Sequence, residues 1–364
     1  GWSVSSASDV NGDGFDDIIV GATDNDDGGD KAGDAYVIFG TASGFGANVA
    51  GQHVLDLSKL SASQGFIVKG DTTGDEAGFS VSSAGDVNGD GFDDIIVGAP
   101  YGDDGGDKAG EAYVIFGKAS GFGSKVGGQR VIDLTTLTAH QGFAIQGYAA
   151  GDQTGWSVSS AGDLNGDGFD DILVGAPLNS TDNSGKDLPW CGRAYIIYGT
   201  ASGFGTDVAG RQVIDLKDLT ASQGTYLAGG EQYNVGSGVS SAGDINGDGF
   251  DDCVIGASGR SAAYVLFGGA SGPTFGFHIV DNSENTRLGY SVSSAGDING
   301  DGFDDLIVGG GGDSLGGVDA GQAFVVFGAA SFSGDINVRT MTPSQGFIIQ
   351  GDAEYDLAGR SVSS

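Results

Sequence analysis

Cysteine is nearly absent: Cys191 and Cys253 are the two in 364 residues, which excludes a disulfide framework. Proline numbers only five. Glycine reaches 72, yet without a three-residue period, so a collagen-like chain is excluded. Basic residues are scarce, 15 Lys and Arg against 49 Asp and Glu, for a formal net charge of −34. A field of that sign repels nucleic acid and anionic lipid, so neither is expected as a partner. No apolar run approaches the ~18 residues of a membrane helix, so no membrane insertion is expected. The single Met is not residue 1 and no signal peptide is present, so the chain reads as a mature product or an excised part of a longer protein.

Catalytic sets are missing too. His53, His140 and His278 lie in different repeats without metal spacing. Gly312-Asp-Ser-Leu-Gly316 matches a nucleophile-elbow pattern, but it lies in a Gly-rich loop between strands and no His follows it. A non-enzymatic protein is expected. High charge with low hydrophobicity would suggest disorder, but apolar residues cluster in runs such as Ile18-Ile19-Val20 and Tyr36-Val37-Ile38-Phe39. The chain folds if something neutralises its acids.

What is present is repetition. Ser-Val-Ser-Ser starts at Ser3, Ser80, Ser157, Ser291 and Ser361, and Gly238-Val-Ser-Ser is a variant. The boundaries are about 1–78, 79–155, 156–236, 237–289 and 290–359, with a partial sixth repeat at 360–364. Each repeat holds four short β-branched or aromatic runs bounded by Gly and Asp, read as strands A to D. In the second repeat these are Ser80–Ser83, Ile95–Val97, Ala112–Phe116 and Gly142–Gln146. Four short strands per unit predict an all-β fold of β-propeller blades, five whole repeats plus the first strand of a sixth, in one domain over 1–364. A stacked solenoid is the alternative. The C–D connection contains Val131-Ile-Asp-Leu134, with one helical turn expected within 134–141; repeat four lacks most of this connection.

Between strands A and B the motif Asp-x-Asn-Gly-Asp-Gly-Phe-Asp-Asp occurs five times. Hard divalent cations take ~6–8 oxygen ligands. Side chains at positions 1, 3 and 5 converge if the chain curls, Gly at position 6 permits the turn, the Phe carbonyl at 7 adds an oxygen and Asp at 9 closes the shell. The candidate metal ligands are Asp9, Asn11, Asp13, Phe15 and Asp17; Asp86, Asn88, Asp90, Phe92 and Asp94; Asp163, Asn165, Asp167, Phe169 and Asp171; Asp244, Asn246, Asp248, Phe250 and Asp252; Asp297, Asn299, Asp301, Phe303 and Asp305. About five Ca²⁺ are expected. An EF-hand is excluded, because position 12 of the first loop is Val20 instead of Glu and the flanks are strands. The bland alternative is a set of solvated Asx-turns.

The Gly-x-Ser-Val strand, these loops and Val97-Gly98-Ala99-Pro100 resemble FG-GAP repeats, which form the N-terminal β-propeller of integrin α subunits and recur in bacterial surface proteins. The resemblance covers essentially the whole chain. It implies calcium in the A–B loop of each blade and a protein or glycan partner on the opposite face, which carries the B–C and D–A loops with Trp190 and Tyr233. Gly-Ala-Pro is intact only at 98–100 and 175–177, and five repeats are fewer than the seven blades of integrins.

The expected function is therefore a calcium-binding extracellular or cell-surface propeller for adhesion, surface structure or protein–protein interaction. A glycan-binding module, or a propeller domain of a carbohydrate-active enzyme, is the alternative. Trp2, Phe79, Trp156 and Tyr290 recur before Ser-Val and are expected in the core or between blades. The acidic B–C loops (Asp24, Asp26, Asp27, Asp30; Asp103, Asp104, Asp107) read as solvated, with further calcium as the alternative. Asn179-Ser-Thr181 is a glycosylation sequon. The terminal strand is a candidate for self-association by strand addition.

Overall fold

The structure, a computed structural model, describes residues 1–181, 186–283, 286–312 and 319–363. The chain is all-β, built of antiparallel four-stranded blades of the β-propeller type, with three single 3₁₀ turns as its helical elements among the described residues. Two compact units form, one of residues 1–155 with 200–219, the other of 156–199 with 220–364.

The first unit holds blades one and two. Blade one is strand A Ser3–Ser8, B Asp17–Ala22, C Asp34–Ile38 and D Gly65–Lys69; blade two is Ser80–Gly85, Asp94–Ala99, Glu111–Ile115 and Gly142–Gln146. Neighbours pair antiparallel in chain order, with Ile18 opposite Ile38 and Ile38 opposite Gly65. The second unit repeats this. Blade three is Ser157–Gly162, Asp171–Ala176, Arg193–Ile197 and Gly224–Ala228. Blade four is Val235–Gly243, Asp252–Ala257, Ala262–Phe267 and Thr274–Val280, and blade five is Ser291–Gly296, Asp305–Gly310, Gln322–Val326 and Gly346–Gln350.

The C–D connections do more than connect. Gln129–Asp133 pairs parallel with strand D of blade one, Val131 opposite Ile67. Arg211–Asp215 does the same on blade two and Ile336–Asn337 on blade four. These β-branched segments satisfy their backbone groups on the otherwise open edge of the preceding sheet. Repeat four passes almost directly from strand C to D, so blade three receives no such strand and ends at Gly224–Ala228. The 3₁₀ turn expected after Val131-Ile-Asp is present at Leu134–Thr136, capped by Asp133, which accepts from the Thr135 N–H.

One expectation is corrected here. Residues Arg360–Ser363 form no strand, so the sixth repeat contributes none. Every strand A in this fold pairs only with the strand B that follows it, and no such partner lies within these residues; Ser364 lies outside the described residues. The aromatics before Ser-Val take the between-blade half of their reading: Trp2 of blade one meets Phe79 of blade two at 5.5 Å, with Trp2 65% exposed and Phe79, Trp156 and Tyr290 half-buried. The core lies between sheets. In the first unit Ile19, Val37 and Phe66 pack with Ile95, Val97, Tyr113 and Ile115. In the second, Val254, Val265 and Phe277 pack with Val308, Phe324 and Val326. Cys191 and Cys253 are free thiols, both buried.

Candidate metal centres

Each A–B loop begins at a β-bulge, where the register slips by one residue (between Ser83 and Gly85 in blade two) and the strand bends out of the sheet. The loop then curls around its first carboxylate. Asp86 accepts from the N–H of Asp90 (3.0 Å) and of Gly91 (2.9 Å). Asp9, Asp163, Asp244 and Asp297 accept from their own positions 5 and 6 in the same way. In the four later loops the Asn at position 3 (Asn88, Asn165, Asn246, Asn299) also accepts from the position 5 N–H at 2.8–2.9 Å. The Phe N–H at position 7 donates to the position 5 carboxylate in all five, for instance Phe15 to Asp13 at 3.0 Å. Glycine at position 6 sits at φ near +90° in every copy, +89° at Gly14 and +92° at Gly302. A Cβ there would meet nothing, so the backbone angle alone demands glycine.

The position 9 carboxylate points inward. Asp17, Asp94, Asp171, Asp252 and Asp305 are all 0% exposed. One oxygen of each accepts from the glycine after strand C: Gly40, Gly117, Gly199, Gly268 and Gly328, at 2.7–2.9 Å. The second oxygen accepts from the position 2 N–H in Asp94, Asp252 and Asp305, but in Asp17 and Asp171 it makes no well-formed hydrogen bond, only a weaker approach to the Val10 and Leu164 N–H. Burial pushes these groups up, to about 7 for Asp17 and Asp252 and about 8 for Asp94 and Asp171. The position 1 and position 5 carboxylates add to the rise, against the backbone hydrogen bonds. A buried carboxylate beside two others is disfavoured until a cation balances it. The donor set is all oxygen, which fits a hard divalent ion.

Adjacent loops are also latched. Asp93, at position 8 of the second loop, accepts from the Asp9 N–H of the first at 3.1 Å. Asp251 accepts from Asp163 at 2.8 Å and Asp304 from Asp244 at 2.9 Å. The Phe at position 7 lies over glycine 4 of the preceding loop: a Cβ on Gly12 would stand 2.5 Å from the Phe92 ring, and Gly166 and Gly247 face Phe250 and Phe303 likewise. The residue after the glycine that follows strand C then donates to the preceding loop's position 2 carbonyl, as Lys118 does to Val10 at 2.9 Å and Ala329 to Ile245 at 3.0 Å. Sequence reading assigned Phe at 7 only a carbonyl and Asp at 8 no role; their place between loops requires knowing which loops are neighbours.

One acidic group falls outside the motif. Asp71, Asp104 and Glu111 bring side-chain oxygens within 4.8 Å of one another, the one such triad among the described residues; positions 1, 5 and 9 of the loops stand wider apart. The rest of the acidic B–C loops is solvated as expected, with Lys31 pairing Asp24 at 3.3 Å. Trp190 is 54% exposed. Tyr233 is half-buried beneath Arg260, whose Nη1 donates to its hydroxyl at 3.0 Å. Asn179 of the sequon is 0% exposed and holds the Thr181 N–H, so the folded chain does not offer it to a glycosyltransferase. Most of the nucleophile-elbow match, residues 313–316, lies outside the described residues.

The comparisons agree with this architecture. The FG-GAP repeat family matches residues 1–38, 77–115 and 154–186, and the FG-GAP-like repeat family matches 244–308. Integrin alpha pat-2 of Caenorhabditis elegans is 29% identical over 255 residues, covering 65% of this chain and 18% of its own length. Integrin alpha-4 of Xenopus laevis is 31% identical over 178 residues, 46% of this chain and 15% of its own. Human integrin alpha-IIb is 32% identical over 158 residues, 40% and 14%. The chain is similar to FG-GAP repeats over the matched segments, and to integrin α chains across them. It spans under a fifth of the length of these curated relatives.

Proposed function

We propose that the chain is a non-enzymatic, calcium-stabilised propeller module that serves adhesion or protein–protein interaction in an extracellular or cell-surface setting. The five repeats are read as one domain. Ca²⁺ is held in each A–B loop by the side chains at positions 1, 3 and 5, the carbonyl at 7 and the buried Asp at 9. The observation that carries this reading is the five-fold recurrence of one oxygen-lined turn, each with a buried carboxylate that lacks a balancing charge. A role in stability follows from the latches: a cation that rigidifies one loop also holds the contact to the next. A site with Kd near ~10 µM in millimolar calcium stabilises the fold by roughly 2.7 kcal/mol. The partner, a protein by similarity to integrins, is assigned to the B–C and D–A loops, where Trp190 is exposed.

Calcium titration into chelator-stripped protein tests this, with Asp→Ala at position 1 of single loops. Each variant is expected to remove one ion. An undiminished count, with melting unchanged by chelator, rejects the loop assignment. Self-association through 361–364 is tested separately by deleting those residues; unchanged elution volume rejects it.

One observation favours the glycan reading as a second. Exposed Trp2 lies 5.5 Å from Phe79, which meets Tyr101 edge-on at 6.2 Å, a partly open aromatic row of the kind that stacks on sugar rings. A glycan screen with Trp2→Ala as control decides it.

A further inference from the structure

The triad of Asp71, Asp104 and Glu111 is assembled from three separated segments of the first unit. Asp71 follows strand D of blade one, Asp104 lies in the B–C loop of blade two, and Glu111 opens strand C of blade two. Asp75, four residues beyond Asp71, is 2% exposed and feels the charges of Asp71, Glu111, Asp103 and Asp104. Arg211 is the cation in contact, its Nη1 3.2 Å from Asp71 and its Nη2 on Asp104. Two of these four carboxylates, Asp71 and Asp104, thus share one guanidinium.

Two buried carboxylate oxygens of this group lack partners. The Asp71 side chain is 5% exposed, and neither its Oδ1 nor Asp75 Oδ1 has a hydrogen bond. The Tyr113 hydroxyl, 0% exposed, has a single proton but faces both Asp71 Oδ2 (2.9 Å) and Glu111 Oε2. Buried, unpaired carboxylate oxygens cost several kcal/mol each unless neutralised. Burial, and then the neighbouring carboxylates, hold Glu111 up at about 7 and Asp75 at about 8.

Blade five carries the same positions without the surplus. Gln322 opens its strand C where Glu111 opens that of blade two, Phe324 stands for Tyr113, and Thr286 stands three residues before Gly289 as Asp75 does before Gly78. Among the described residues Asp281 is the acid held there, bound by Arg339 at 2.7–3.1 Å, with Gln322 on the same guanidinium. Asp281 and Arg339 balance one to one.

We propose that Asp71, Asp75, Asp104 and Glu111 form a further divalent-cation site, distinct in position and ligand pattern from the A–B loops, with Arg211 as its outer counter-charge. The oxygens of Asp71, Asp104 and Glu111, within 4.8 Å of one another, match the span across an ion bound at ~2.3–2.6 Å, with Asp75 as the further acid beside them, and an all-carboxylate set selects calcium or another hard cation. A dication brings four negative charges and one guanidinium to a net of about −1.

The test counts Ca²⁺ on the intact chain at pH 7.4 by native mass spectrometry and calorimetry, using wild type, Glu111→Gln and the near-isosteric Asp75→Asn, with circular dichroism to confirm folding. Asp9→Ala reports on the loops. The expected result is one ion fewer in both cluster variants. An unchanged count in folded Glu111→Gln and Asp75→Asn overturns the proposal even where Asp9→Ala loses an ion. Loss in the cluster variants but not in Asp9→Ala supports this site and counts against the loops. A wild type that binds no calcium refutes both.

Discussion

Removing the Asp93 carboxylate tests whether the loops are coupled. In Asp93→Ala the Asp9 N–H loses its acceptor at 3.1 Å. A hydrogen bond to a charged group contributes ~1.5–3 kcal/mol; Asp93 is half-buried, so about 1–2 kcal/mol is expected. For a unit of this size that is roughly 3–6 °C in melting temperature. The same deletion removes one negative charge from beside Asp86, Asp90 and Asp94, relieving repulsion of ~1 kcal/mol per near pair at the surface. Without calcium the two effects oppose each other, whereas with calcium the second largely vanishes. Asp93→Ala is therefore expected to lower the melting temperature clearly in millimolar calcium and little in chelator. Asp93→Asn, which keeps an acceptor oxygen, costs less in both. Differential scanning fluorimetry of the three proteins in both buffers reads this directly. A wild-type melt for Asp93→Ala in calcium, or equal losses for Ala and Asn, refutes the latch.

Other consequences follow from single residues. Ser8 occupies the bulge position at φ +54° where the later loops have Gly85, Gly162, Gly243 and Gly296, so Ser8→Gly is expected to stabilise by about 0.5–1 kcal/mol, read by urea unfolding. Asp34 is 0% exposed with an unpartnered Oδ2, and burial raises it to about 7. A raised carboxyl binds its proton more tightly folded than unfolded, so its contribution is full below pH ~4 and is lost as pH rises through ~7. Asp34→Asn should thus melt higher than wild type at pH 8, by on the order of 2–4 kcal/mol of stability, and match it near pH 4. Cys191 and Cys253 should resist thiol reagents in the native state and react after unfolding; burial raises the Cys253 thiol well above its usual value.

Local chemistry was readable in the sequence because it is written in consecutive residues. The loop motif, the strand runs and the 3₁₀ turn each depend on neighbours within ten positions. The parallel strands Gln129–Asp133 and Arg211–Asp215 were not, since Val-Ile-Asp finds its partner in the preceding repeat, more than 60 residues away. The same holds for Asp93 on Asp9 and for the carboxylates around Arg211, whose members span residues 71 to 211. The exposure of Trp2 was missed because periodicity gives a residue's place in a blade but not which face another sheet covers.

The central claim is that calcium in the A–B loops holds the blades together. The most direct measurement is thermal unfolding of chelator-stripped protein as calcium is returned, with bound ions counted at each step. The account predicts a melting temperature that climbs by well over ten degrees as about five loop ions, and one more at the Asp71 cluster, are taken up. A melt that ignores calcium, or ions that bind without raising it, contradicts it.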